Sequence, residues 1–274
     1  MTMGCDLARP LDPVALARDA GIEPDPWQAE LLEQRPKRCL MLCSRQSGKT
    51  EVAIHLGLWT ALYEAPALVL IVSPSQRQSQ EVFRRLMIAY GKLKDVLGLA
   101  QESALRAEIS NGSRIVALPG SERTVRGCTG AKMIILDEAA RVDDELLAAL
   151  RPTMATVDGS LIMLTTPAGK RGEFYRAWTE GKGWTKVRVP ASQCPRLSKE
   201  FLADELRELG PQRYSEEYEL AFLESDESVF FTTMIDRAFT HEIRPLWSLR
   251  DAGHLRDLRA PQRAVDALSC AARR

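Results

Sequence analysis

The sequence lacks an excess of charge of either sign: 37 basic and 37 acidic side chains cancel to a formal net charge of zero. No global basic field draws the chain to nucleic acid, so any contact with DNA has to come from a local patch. It also lacks an apolar run of membrane-spanning length, and no membrane partner is expected. The six cysteines, Cys5, Cys39, Cys43, Cys128, Cys194 and Cys270, stand at no metal-ligand spacing, and the first residues carry no leader pattern. A reduced, intracellular chain without structural zinc is the expectation. What the sequence does have is apolar content, 45% of 274 residues. That is enough for a substantial core in one large α/β domain or two small ones.

The chain is organised around Cys43-Ser44-Arg45-Gln46-Ser47-Gly48-Lys49-Thr50. The apolar run Cys39–Cys43 leads in and a helical pattern from Glu51 to Trp59 leads out, the order strand, tight loop, helix. In that context Gly-Lys-Thr points to phosphate binding: loop N–H groups and the positive end of the helix dipole face the anion. Lys49 supplies a point charge and Thr50 a hydroxyl for Mg²⁺. Cys43 stands where the strict pattern has its first glycine. A second anchor is Lys132–Glu138, an apolar strand ending in two carboxylates. Asp137 is placed to hold the shell of a Mg²⁺ ion, and Glu138 to orient or deprotonate an attacking water. A third is Gly159–Pro167, a buried-looking strand ending in the hydroxyls of Thr165 and Thr166. These either sense a terminal phosphate or punctuate a strand-end turn.

Around these anchors the pattern predicts short helices after Pro13 and Pro26, the second stopping before Pro36. Gln28 is either a solvated polar residue or an amide for an adenine edge. Ala67–Val72 reads as a strand buried on both faces, followed by a helix from Gln76 to about Tyr90. Arg84, Arg85, Lys92 and Lys94 give that region a basic rim, either a solvated face or a DNA-tracking surface. Asn111-Gly112 predicts a type I′ hairpin between 107–110 and 113–118. Beyond Gly172 the pattern predicts a helix to Trp178, an edge strand from Trp184 to Val189, and helices over 198–209 and 211–223. Val229-Phe230-Phe231 ends the last apolar patch.

Those three anchors, in that order, resemble the ATPase domain of the large terminase subunit of tailed bacteriophages. The resemblance runs from Asp25 to Phe231. Ser44 to Thr50 is similar to that family's phosphate loop, Trp27-Gln28 to its adenine-reading motif, Met133–Glu138 to its Mg²⁺ and water-activating strand. Leu164–Gly169 followed by Gly172–Tyr175 resembles its coupling motif. The resemblance implies a P-loop NTPase fold of the additional-strand catalytic-glutamate type, α/β, with a mainly parallel sheet flanked by helices. It implies ATP held by Gln28, Ser44, Arg45, Gln46, Ser47, Gly48, Lys49 and Thr50. Thr50 and Asp137 would hold Mg²⁺, Glu138 would be the catalytic carboxylate, and Thr165 and Thr166 would couple hydrolysis to motion. Arg45 falls where the family places an arginine near the nucleotide, and Arg126 where it places an arginine finger for a neighbouring subunit. The implied partners are double-stranded DNA, the portal protein, the small terminase subunit and copies of the chain in a ring. The implied location is the bacterial host cytoplasm, with transient docking at the procapsid portal.

The expected organisation is an approach segment over 1–24, an ATPase domain over 25–231 and a linker or tail over 232–274. Asp236, Asp251 and Asp257 lack the apolar strand of an RNase H-type nuclease, so no nuclease activity is expected. Two other functions fit the same motifs. A helicase-like P-loop motor would need a second motor lobe, for which no further strand-loop-helix series follows Phe231. A nucleotide-dependent assembly module would bind ATP without productive turnover.

Overall fold

The computed structural model describes residues 9–93, 97–120 and 128–224, all in the first of two compact units, Met1–Ser225. Two short helices open it, α1 (Pro13–Asp19) and α2 (Pro26–Gln34). Proline starts both, because its fixed φ suits the first helical position and its missing N–H costs nothing there. The Asp12 carboxylate caps α1 by accepting from Val14 and Ala15 N–H.

The centre is an eight-stranded sheet built from β1 (Arg38–Cys43), β2 (Leu68–Ser73), β3 (Leu99–Ser103), β4 (Arg106–Ile109), β5 (Arg114–Pro119), β6 (Ala131–Asp137), β7 (Ser160–Thr165) and β8 (Thr185–Val189). Their order across the sheet is β3-β4-β5-β2-β6-β7-β1-β8. All pairs from β5 to β8 are parallel, and only β3–β4 and β4–β5 are antiparallel. The expected mainly parallel sheet is what forms, and β7 is the additional strand between the loop strand β1 and the carboxylate strand β6.

Every residue of β2 is buried, as its unbroken apolar run requires of a strand covered on both faces. The period of two divides the core. Met41, Val69, Ile71, Met133, Ile135, Ile162 and Leu164 pack on one side with α3 (Lys49–Tyr63) and α4 (Gln76–Lys92). Leu40, Leu70, Ile134, Leu136, Leu161 and Met163 pack on the other with α5 (Asp144–Leu150) and α6 (Gly172–Thr179). No helix among the described residues is long and apolar enough to cross a membrane.

Two expectations are corrected, a turn type and a helix end. The Asn111-Gly112 hairpin forms, but Gly112 alone has positive φ, at 84°. Its N–H bonds the Ile109 carbonyl at 2.9 Å while Ile109 N–H bonds Ser113 at 2.8 Å. That pattern is a type I turn closed by a left-handed glycine, not type I′. The two helices expected after Ser198 both form, as the two arms of α7 (Lys199–Glu217), broken by non-helical angles at Gly210, φ 74° and ψ 163°, before Pro211; only the end of the second differs. It stops well short of Leu223 because the chain turns at Leu220, φ 64°, to bury that side chain against the second core. Strand β3 had no expectation at all. It is largely exposed, so it carries no apolar alternation. The Val229–Phe231 patch and the 232–274 tail lie outside the described residues.

Candidate active site

Strand β1 delivers the loop to the carboxyl edge of the sheet. Ser44 N–H ties the loop's first residue to the Val189 carbonyl of β8 at 3.0 Å, and Ser47 Oγ donates back to the Ser44 carbonyl at 2.8 Å. Gln46 and Gly48 both take left-handed angles, φ 57° and 88°, so the loop folds tightly and α3 starts at Lys49. The first N–H groups of a 15-residue helix have no intrahelical acceptor and face out of that turn. Ser44 and Ser47 are fully buried and Lys49 nearly so, Thr50 is half-buried, and Arg45 and Gln46 are exposed. Cys43 sits inside β1, and burial pushes its thiol up to about 12, against a smaller downward pull from Lys49.

The other two anchors end level with this loop. Asp137 pairs across with Leu164, and Thr165 with Leu42, so the ends of β6, β7 and β1 meet at one rim. By the alternation of β6, Asp137 shares the face of Met133 and Ile135, the α3 side. Its carboxyl is nearly buried and Oδ1 has no hydrogen-bond partner. Burial first, then the charge of Glu138, raises it from an ordinary 3.8 to about 6, while Lys49 pulls the other way. A buried carboxylate oxygen without a partner, at the rim where the phosphate-loop strand also ends, fits a hard cation. Mg²⁺ is such an ion, usually bound through one or two carboxylates with waters and phosphate oxygens as its other ligands.

Glu138 leaves the strand in the left-handed region, φ 51°, ψ 44°. For a residue with a Cβ this costs roughly 1–2 kcal/mol. Both its oxygens are engaged: Oε1 lies 3.9 Å from Lys49 Nζ, and Oε2 accepts from Arg141 Nη1 at 2.7 Å. Thr165 and Thr166 are buried at the end of β7. Thr165 Oγ1 donates to the Thr166 carbonyl at 2.7 Å and accepts from Ala140 N–H at 3.3 Å.

Two expected residues sit differently from the sequence picture. Gln28 is not solvated, being 3% exposed. Its Oε1 accepts from Asp25 N–H at 2.8 Å and its Nε2 donates to the Gly48 carbonyl at 3.3 Å. It braces the loop from beneath, and a Cβ on Gly48 would collide with that amide. Arg45 grips Glu217 of α7 through bonds of 2.7 and 3.0 Å. Arg126 lies outside the described residues. Two residues of the basic rim are paired, Arg84 with Glu81 at 2.8 Å and Arg85 with Glu51, while Lys92 is exposed. Lys94 is outside the described residues.

Sequence reasoning missed Arg141, Arg196 and Glu217. Arg196 forks onto Asp25 with bonds of 3.0 and 2.7 Å and donates to the Ser47 carbonyl at 2.9 Å. It thereby clamps α2 to the loop. A carboxylate three residues before Arg141 was the one signal available; nothing local marks Arg196 or Glu217.

Compared with known proteins, residues 40–237 match the family model described as terminase large subunit, T4likevirus-type, N-terminal. The large terminase subunit of Thermus phage G20c is 26% identical over 202 residues, which cover 66% of this chain and 41% of that protein. The chain thus spans about two-fifths of the length of the curated relatives it matches. The large terminase ATPase domain of Thermus phage P74-26 superposes with a TM-score of 0.68 at 18% identity, over 75% of this chain and 96% of that one. The large terminase of the thermophilic bacteriophage D6E, solved in complex with ADP, superposes with a TM-score of 0.57 at 12% identity, over 77% of this chain and 53% of that one. At these identities the structural likeness is one of fold.

Proposed function

The chain belongs to the terminase large subunit family, and from that premise we propose that it is a Mg²⁺-dependent ATPase motor that drives double-stranded DNA into a viral procapsid. The single observation that carries this reading is the meeting of Lys49, Asp137, Glu138 and Thr166 at one sheet edge, with Lys49 Nζ 3.9 Å from Glu138 Oε1.

In this reading the N–H groups from Ser44 to Thr50, with Gln46, Ser47 and Gly48 shaping the turn, cradle the β- and γ-phosphates, and Lys49 exchanges Glu138 for them. Thr50 and Asp137 would hold Mg²⁺, which would supply positive charge to offset what develops on the phosphoryl oxygens. Glu138 orients the attacking water and accepts its proton. Thr165 and Thr166 register the loss of the terminal phosphate. Gln28 keeps one N–H and one lone pair for an adenine edge while its other N–H holds the loop and its Oε1 accepts from Asp25 at the start of α2. Arg45, whose side chain is exposed, reaches the nucleotide by leaving the half-buried Glu217. Arg126 is the finger that completes the site of a neighbouring copy in a ring. DNA, the portal protein and the small terminase subunit are the partners, in the cytoplasm of a bacterial host and at the procapsid portal.

Phosphate release from ATP, with and without duplex DNA, tests the reading. Lys49→Ala is expected to lose nucleotide binding or turnover. Glu138→Gln is expected to bind ATP and turn over at least about a hundredfold more slowly, the usual loss with a general base. Equal rates in wild type and Glu138→Gln would refute the assignment. Arg126→Ala subunits mixed into wild type should depress activity beyond their share, and a drop in strict proportion would remove the finger.

A further inference from the structure

No motif singled out Arg141, yet it touches three segments that meet at the site. It closes the 3₁₀ turn Ala139–Arg141 that follows Glu138. Its backbone N–H donates to the Glu138 carbonyl at 2.9 Å. Its Nη1 donates to Glu138 Oε2 at 2.7 Å and to Thr166 Oγ1 at 3.0 Å. Its Nη2 lies 4.0 Å from Glu217 Oε1, the same carboxylate that Arg45 of the loop grips. One residue earlier, Ala140 N–H reaches Thr165 Oγ1. The carboxylate that follows β6 and the Thr166 hydroxyl that follows β7 are therefore joined through a single guanidinium.

The chemistry of that group matters. A guanidinium is planar and its N–H bonds leave at fixed angles, so it cannot follow one partner without shifting against the other. Two N–H bonds on one nitrogen serve Glu138 and Thr166. Rotation of the carboxylate therefore strains the bond to the threonine, and displacement of the threonine strains the bond to the carboxylate. A half-exposed ion pair three residues apart adds little to stability by itself. Stability of the turn also gives no reason to reach Thr166, 25 residues further along the chain. The left-handed angles of Glu138 point the same way: the turn costs energy to hold, and what it achieves is the aim of one carboxylate between Lys49 and Arg141.

We propose that Arg141 is a positioning residue: it orients Glu138 for the attacking water and binds that orientation to Thr166, so that the carboxylate and the coupling threonine shift together. The proposal rests on the ATPase reading above.

The test uses the whole chain, with steady-state phosphate release, titration of a fluorescent ATP analogue and melting temperature measured together. Arg141→Met is expected to lower kcat by about tenfold or more while KM and analogue affinity stay within about twofold, the pattern of an interaction made in the transition state. Arg141→Lys recovers part of kcat, because an ammonium keeps the charge near Glu138 but not the two-partner geometry. Thr166→Val combined with Arg141→Met loses less than the product of the two single losses, because both remove one shared link. Unchanged kcat in Arg141→Met overturns the proposal. So does a loss of kcat that tracks a loss of affinity and melting temperature, or single losses that simply multiply. A wild-type chain that releases no phosphate removes the ATPase reading and this inference with it, whereas an active wild type with an indifferent Arg141→Met removes this inference alone.

Discussion

Asp137 is held at a cost. In the unfolded chain its carboxyl ionises near 3.8, and in the native protein near about 6, with burial as the main cause. Between those values the native state keeps a proton that the unfolded state has lost. Stability contributed at this position is therefore full below about 3.8, falls as pH rises through the window, and stays reduced above about 6. A shift of this size corresponds to about 3 kcal/mol. Asp137→Asn abolishes the titration. In metal-free buffer the variant should gain roughly 2–3 kcal/mol relative to wild type between pH about 4 and pH about 7, read from urea melts at the two pH values. A difference between variant and wild type that does not change with pH would show that Asp137 is not the group responsible. Bound cation should erase the gain, since the ion supplies the partner that Oδ1 lacks. Residues of this kind were legible in the sequence because each anchor is an unbroken apolar strand that stops abruptly in a group with chemistry: Lys49 and Thr50 after β1, Asp137 and Glu138 after β6, Thr165 and Thr166 after β7. Arg141, Arg196 and Glu217 were not legible as site residues, because their partners are set by how distant segments fold together. Ser47 and Arg196 are 149 residues apart.

At the scale of elements, α2 is fastened to the loop by two hooks, Gln28 on the Gly48 carbonyl and Arg196 across Asp25 and the Ser47 carbonyl. These hold carbonyls away from the mouth of the loop, so its N–H groups face an incoming anion. Arg196→Ala should loosen the loop without touching Glu138. The expected result is a KM for ATP raised about five- to tenfold, near 1 kcal/mol, with kcat little changed. A drop in kcat alone would place Arg196 in the chemistry instead of the binding. Element existence was readable throughout the parallel part of the sheet, where burial on both faces writes itself into the sequence as runs such as Leu68–Val72. It failed at β3, whose exposed residues give no periodic signal, and at the Asn111-Gly112 turn, where the turn type depends on an Asn111 φ that either hairpin geometry allows.

At the scale of the molecule, balanced charge and the pairing of two α4 arginines argue against those two as a track for DNA. Arg84 already pairs with Glu81, and Arg85 with Glu51. Arg84→Ala should leave duplex affinity within about twofold across a salt series, measured by fluorescence anisotropy. A tenfold or greater loss would return α4 to the DNA surface.

The order of strands has a consequence for how the protein is made. Both neighbours of β1, namely β7 and β8, come later in the chain. A ribosome that has finished Cys43 must continue to Ser160 before either edge of that strand can be covered. Throughout that interval the nascent polypeptide carries a hydrophobic strand with bare hydrogen-bonding edges, a natural client for a chaperone and a natural seed for aggregation. The rim that gathers the chemistry is thus among the last parts of the sheet to close.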